Sequence, residues 1–165
     1  MTEELFREDA TLVECEAQVL ALAEGGVILD RTVFYPLGGG QAGDAGELRG
    51  ADGRVWPIID TRKSKEHGGG VLHMLAPVAM PPDVGTRVTA RIDAERRRAH
   101  MRLHTATHLL CALVPHAVDG CSITAGYARL DFHMNEPLDK EQLNAGLARL
   151  VRQAHAVRHR WISEA

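Results

Sequence analysis

The sequence predicts an α+β fold: a small glycine-rich β-barrel over residues 1–92, then an α+β subdomain over residues 93–165 that carries a His-x-x-x-His helix. Three observations carry this prediction. Short segments with apolar residues at alternate positions, punctuated by Gly and Pro, fill the chain up to Ile92. Between Asp93 and Pro115 no helix breaker occurs. A second run with helical apolar spacing begins after Leu138 behind an acidic cap.

The first strand is read over Thr11–Val19, where Val13, Cys15, Ala17 and Val19 alternate with Glu14, Glu16 and Gln18. Glu24-Gly25-Gly26 turns the chain into a second strand from Val27, continued through Asp30 to Tyr35 and stopped by Pro36. Five glycines in the nine residues Gly38–Gly46 form a loop. Its backbone either adopts positive φ angles or lies close against something. It lacks the GxxxxGK[ST] pattern and no helix follows it, which excludes a P-loop. Ala51-Asp52-Gly53 marks a hairpin between Glu47–Gly50 and Arg54–Asp60. A basic, glycine-ended loop is read over Thr61–Gly70. Strands at Val71–Leu75 and Arg87–Ile92 follow, joined by a proline-rich turn over Pro77–Gly85.

Asp93 is the expected cap of a helix running to about Val114, with Ala99, Leu103, Ala106, Leu110 and Leu113 as its buried stripe. A strand pair is expected at Cys121–Ala125 and Tyr127–His133, with Arg129 and Asp131 on one face and Ala128, Leu130 and Phe132 on the other. Asp139 caps the last helix, Gln142 completes a capping box and Leu138 staples to Leu143. Leu143, Leu147, Leu150, Val151 and Ala154 form its apolar face.

With 45% hydrophobic and 25% charged residues, the composition is that of an ordinary globular protein, and only 4% aromatics leave the core to Leu, Val, Ile and Ala. A net charge of -3 gives no global attraction to nucleic acid. Contact of that kind rests on the local clusters Arg62-Lys63-Ser64-Lys65, Arg96-Arg97-Arg98 with Arg102, and Arg158-His159-Arg160, each otherwise a solvated face. Cys15, Cys111 and Cys121 form no CxxC pair and read as reduced small residues. The acidic start Met-Thr-Glu-Glu has no signal-peptide character, and the expected location is cytoplasmic.

His104 and His108 stand four residues apart, about 6 Å along a helix axis, on one face. Such a pair can hold two corners of a zinc ion at about 2.0–2.1 Å per nitrogen, or be two ordinary surface histidines. His100 lies one turn earlier, but each i,i+4 step turns by about 40°, so the three do not converge on one ion. The segment has no glutamate in the HExxH position, which disfavours a zinc protease.

Asp30-Arg31-Thr32-Val33-Phe34-Tyr35-Pro36-Leu37-Gly38-Gly39-Gly40-Gln41 with Gly43-Asp44-Ala45-Gly46, then Gly70-Val71-Leu72-His73, open a longer pattern. Asp93 to Arg98, the run Met101-Arg102-Leu103-His104-Thr105-Ala106-Thr107-His108-Leu109-Leu110, and Ala128-Arg129-Leu130-Asp131-Phe132 complete it. Together, in this order and over nearly the whole chain, they resemble the editing module of alanyl-tRNA synthetase and the freestanding alanyl-tRNA editing proteins. The resemblance implies a trans-editing hydrolase that removes serine or glycine from mischarged alanine tRNA, with zinc in a cleft between two subdomains. His104 and His108 match two zinc ligands. The family's other two come from a downstream Cys-x-x-x-His motif that this sequence lacks. The expectation is therefore a chain cut short of that motif, or else a divergent member that has lost its metal.

The same resemblance implies that the Thr105 hydroxyl meets a seryl side chain and that Gln41 faces the cleft. From its chemistry alone, Gln41 is equally a turn-stabilising amide. Gly39 and Gly40 are expected to approach the substrate, and Arg96, Arg98 and Arg102 to meet tRNA phosphates. Asp44 is expected to brace the glycine loop rather than act as a base, and His73 and Cys121 to be core residues. Two other functions compete: a catalytically impaired tRNA-binding homologue with a broken metal site, and a different metal-dependent hydrolase of small substrates, which would leave the basic clusters unused.

Overall fold

A computed structural model describes residues 1–65, 70–77 and 80–158. Six strands close an antiparallel barrel: β2 (Glu14–Ala23), β3 (Gly26–Leu29), β5 (Gly46–Gly50), β6 (Val55–Ser64), β7 (Gly70–Leu75) and β8 (Arg87–Ile92). Their order around the barrel is β2-β3-β7-β6-β5-β8. A two-residue strand β1 (Glu3–Glu4) pairs in parallel with β4 (Arg31–Thr32), and a 3-10 turn over Leu5–Arg7 follows β1. After the barrel come α1 (Ala94–Leu113), a hairpin of β9 (Val118–Ile123) and β10 (Ala128–Phe132), and α2 (Lys140–Gln153). The fold is α+β, with the barrel first and two helices and a hairpin after it.

The alternation in β2 turns Cys15, Ala17 and Val19 inward and Glu14, Glu16 and Gln18 outward. Val19, Val27, Leu29, Val33, Phe34, Leu48, Val88 and Ala90 are almost wholly buried inside the barrel. The β5–β6 hairpin turns where Asp-Gly was read, with Gly53 at φ 83°.

Two strand expectations are corrected. The segment after Leu29 does not continue as one strand to Tyr35. The Asp30 carboxylate accepts from the backbone N–H groups of Gln18 (2.7 Å) and Arg31 (2.9 Å), the chain turns there, and only Arg31–Thr32 pairs again. Likewise Thr61–Ser64 is not loop but the end of β6, paired with His73 back to Gly70 of β7. A register shift between Ile58 and Asp60 breaks the alternation that the sequence shows, and buried Thr61 donates its hydroxyl to Asp44 O at 2.8 Å. The rest of the expected loop, residues 66–69, and residues 78–79 of the proline-rich turn lie outside the described residues.

His73 is fully buried in the barrel. Its Nδ1 lies 3.3 Å from Val27 O and its Nε2 2.7 Å from Thr32 Oγ1, which itself accepts from Phe34 N–H at 3.0 Å. One proton arrangement satisfies the chain: Nδ1–H donates to the carbonyl and the threonine hydroxyl donates to Nε2.

Asp93 caps α1 by accepting from Arg96 N–H at 3.0 Å. The expected leucine stripe of α1 is corrected, because its buried residues are Arg97, His100 and Thr107, and the leucines are half-buried. The helix face against the barrel meets a buried carboxylate, so polar side chains occupy it. Asp44, at 1% side-chain exposure, accepts from Arg97 Nε at 3.0 Å and from Arg97 Nη2, and from Tyr35 N–H at 2.7 Å. Arg97 also donates to Ala10 O (2.8 Å) and Val33 O (2.6 Å), so one guanidinium ties three barrel segments to the helix.

The hairpin pairs from Val118, earlier than read, and alternates as expected: Arg129 and Asp131 exposed, Ala128, Leu130 and Phe132 half-buried. Asp139 caps α2, accepting from Glu141 and Gln142 N–H groups. This helix lies on α1 through a narrower face than expected. Gly146 meets Leu113 and the half-buried residues are Leu143, Leu147 and Leu150, whereas Val151 and Ala154 are exposed.

Replacing Arg97 by Met leaves the Asp44 charge buried without its partner and is expected to cost about 3–5 kcal/mol in urea unfolding. Burial pushes the His73 pKa from 6.5 down to about 4. Below pH 6.5 the unfolded chain takes up a proton that the folded barrel refuses, so stability is whole above that pH and declines as pH falls towards 4. The full loss is about 3 kcal/mol. A His73→Gln variant that unfolds with the same pH dependence as the parent would contradict this.

Candidate functional site

The site forms where the glycine loop of the barrel meets α1. Gly38 and Gln41 exchange backbone hydrogen bonds (3.1 and 3.0 Å) around Gly39 and Gly40, whose φ angles are 57° and 78°. Positive φ at both central positions is the geometry of a type I′ turn, which glycine adopts without strain. At Gly40 there is a second constraint: a Cβ there would sit 2.8 Å from Cys121 O and Sγ. The turn can therefore press against β9. Ile123 N–H donates to Gly40 O (2.8 Å) and Ala42 N–H to Ile123 O (2.9 Å), which fixes Gln41 between the barrel and the second half.

Held there, Gln41 is 5% exposed, and its Oε1 lies 2.8 Å from His104 Nδ1. With the amide oxygen as acceptor, His104 carries its proton on Nδ1 and leaves the Nε2 lone pair free. Desolvation, and then the charge of His108, hold the His104 pKa below the usual imidazole value. The His104 and His108 rings stack with centroids 5.2 Å apart and planes 9° from parallel. Thr105 donates its hydroxyl proton back to Met101 O at 2.9 Å, so its oxygen retains only acceptor capacity. Gln41, His104, Thr105 and His108 all line one cleft of about 560 Å³, closed on the opposite side by Phe6, Ala10, Tyr35 and Met101.

Two imidazoles give half of a tetrahedral zinc set. Among the described residues no three His, Cys, Asp or Glu side chains come together where they could hold a metal ion. These residues alone do not fit zinc. His100 is not a third donor to the cleft. It is wholly buried, its Nδ1 lies 4.0 Å from Asp44 Oδ1, and neither ring nitrogen has a hydrogen-bond partner. Burial, then repulsion from Arg96, lowers its pKa.

The other anticipated residues are dispersed. Gly39 is the exposed tip of the turn, and Gly40 faces Cys121. Arg96 is half-buried and donates to Gly43 O at 3.3 Å, while Arg98 and Arg102 are exposed on α1 and do not line the cleft. In the third basic cluster, residues 159–160 lie outside the described residues. Asp44 is consumed by Arg97 and Tyr35, as a brace would be. Sequence reasoning missed Phe6 and Met101 as cleft residues. Phe6 stands before the first strand with no periodicity around it, and Met101 gave no signal of its own. Tyr35 was quoted only as part of the motif.

A closed six-stranded barrel whose glycine turn seals a cleft over a His-x-x-x-His helix defines a two-part domain with its site at the junction. The model for class II (A) tRNA synthetases matches residues 6–96. The chain is 39% identical over 150 residues to the alanine–tRNA ligase of Methanothrix thermoacetophila, covering 87% of this chain and 16% of that protein. It is 36% identical over 152 residues to the alanyl-tRNA editing protein AlaX-M of Methanosarcina mazei, covering 86% of this chain and 59% of the relative. The AlaX-M protein of Pyrococcus horikoshii is 39% identical over 113 residues, or 67% of this chain and 47% of that one. The chain belongs to the alanyl-tRNA synthetase class II (A) family, as an editing-type domain.

In long-range proton–nitrogen NMR spectra at neutral pH, His104 is expected to be protonated at Nδ1 and bare at Nε2. Gln41→Leu should abolish that preference; an unchanged tautomer would refute the role given to the amide.

Proposed function

We propose that this chain is a trans-editing hydrolase that cleaves the ester of alanine tRNA mischarged with serine or glycine. The observation that carries the reading is the convergence of Gln41, His104 and Thr105 on one cleft. It is supported by the 36% identity to a protein named for alanyl-tRNA editing.

The substrate is an activated ester, so the site has to place a water, stabilise charge and select the amino acid. Thr105 does the selecting. Its oxygen, already donating to Met101 O, can only accept, and a seryl hydroxyl is the donor it requires. Alanine has no such donor and leaves that oxygen unmatched, which favours hydrolysis of the serine ester over the correct one. Glycine lacks the donor too, so serine is the substrate this geometry favours. His104, its tautomer set by Gln41, presents a bare Nε2 suited to orient the attacking water and take its proton. Water oxygen bonds to the ester carbonyl carbon, the bond to the ribose oxygen breaks, and the proton passes to that oxygen. Free serine and uncharged tRNA result. Zinc, which the resemblance implies, would find His104 and His108 as its two donors here and enters no step of this scheme.

Arg98 and Arg102, exposed on the outer turns of α1, are assigned to tRNA phosphates; Arg96 is held inward by Gly43 O. Among the described residues no helix is long and apolar enough to cross a membrane, and the substrate belongs to the cytoplasm. The incomplete donor set favours one second reading, a homologue that binds tRNA without cleaving it.

Deacylation of seryl-tRNA decides between them. The chain, supplied with zinc, should hydrolyse it. Thr105→Val should slow that reaction roughly tenfold while changing hydrolysis of alanyl-tRNA little. Retention of the tRNA with its ester intact would establish the binding-only homologue instead.

A further inference from the structure

The cleft has two chemically distinct walls, and the proposed hydrolysis uses one of them. Gln41, His104, Thr105 and His108 supply its polar wall. Facing them, Phe6 and Tyr35 form an edge-to-face pair with centroids 5.4 Å apart, and Met101 lies alongside. Arg7 places its guanidinium 5.6 Å from the Phe6 ring centroid. The aromatic wall is anchored rather than loose. Phe6 is 6% exposed, and the Tyr35 hydroxyl donates to Gly38 O at 3.2 Å, within the turn that positions Gln41. Burial pushes the Tyr35 pKa up, so the ring stays neutral. A volume of about 560 Å³ is several times what an amino acid occupies and falls in the range of sites for drug-sized ligands. Ester chemistry at the polar wall leaves an aromatic surface for whatever the ester is attached to.

We infer that the Phe6–Tyr35 wall is a nucleobase subsite, which takes the purine of the 3′-terminal adenosine and so sets the ester against His104 and Thr105. This rests on the editing reading for the identity of the base. Its physical basis is independent of that reading: neutral aromatic rings, a guanidinium and a thioether line one side of a cleft, the surface on which bases stack. Tyr35 acts on binding and not on the bond broken.

The test uses adenosine 5′-monophosphate and uridine 5′-monophosphate as probes of the full chain, followed by NMR. The adenine nucleotide is expected to shift the ring protons of Tyr35 and Phe6 upfield and to bind at least fivefold more tightly than the uridine nucleotide. Tyr35→Leu should weaken it about tenfold, and Tyr35→Phe, which keeps the ring, less than twofold. In deacylation, Tyr35→Leu should raise KM about tenfold with kcat nearly unchanged. Should Tyr35→Leu unfold, the ring shifts in the unaltered chain decide. Equal affinity for the two nucleotides, or no shift at Tyr35, overturns the subsite even if seryl-tRNA is hydrolysed. Purine binding at Tyr35 without hydrolysis leaves the subsite standing and removes the editing reading.

Discussion

The buried pair of Asp44 and Arg97 is the interaction on which the rest of the site depends. Asp44 lies in the glycine loop and Arg97 in the first turn of α1, and neither is exposed enough for water to compensate a lost partner. The pair also does more than join two charges. The guanidinium reaches Ala10 O and Val33 O, and the carboxylate takes Tyr35 N–H, so the first loop, the segment after β4 and the glycine loop are set against one helix. The direction of α1 relative to the barrel follows from this, and with it the position of His104 opposite Gln41. A hydrophobic contact of the same area would leave the helix free to slide, because it has no preferred direction; a forked donor on a carboxylate does.

One helix thus carries three histidines at the same spacing in three surroundings. His100 is sealed beneath the loop with Asp44 4.0 Å away, His104 is half-buried and hydrogen-bonded to Gln41, and His108 is exposed at the cleft mouth. Burial declines along the helix as it leaves the barrel. Sequence spacing states that the three share a face. The angle at which α1 meets the barrel determines which of them reaches the cleft.

How much of this was legible in the sequence depends on whether a local rule decides it. Asp93 as the cap of α1, Arg87–Ile92 as a strand and the Asp-Gly hairpin follow from local rules and are where they were expected. The alternation of β2 survives because its one register shift falls after Val19. Thr61–Ser64 was misread because the shift between Ile58 and Asp60 interrupts the pattern from which a strand is recognised. The buried stripe of α1 was misplaced for a different reason. Leucines outrank arginine in any local scale, and only Asp44, 53 residues earlier, makes Arg97 the inward side chain. At the site, His104, Thr105 and Gln41 were legible through a motif, whereas Phe6 enters the cleft by a tertiary contact that no pattern announces.

The turn from Gly38 to Gln41 has a consequence for how this domain can diverge. Its hydrogen bonds to itself and to Ile123 are made by main-chain atoms alone, and they fix the roof of the cleft without a contribution from any side chain. Most of the surrounding sequence is therefore free to drift: exposed residues on β2, β6 and α2 can be exchanged without altering the depth of the cavity. The burden of inheritance falls on residues that contribute almost no atoms. A lineage could replace much of this surface and keep the cavity, yet a single methyl group at Gly40 would lift the roof from β9.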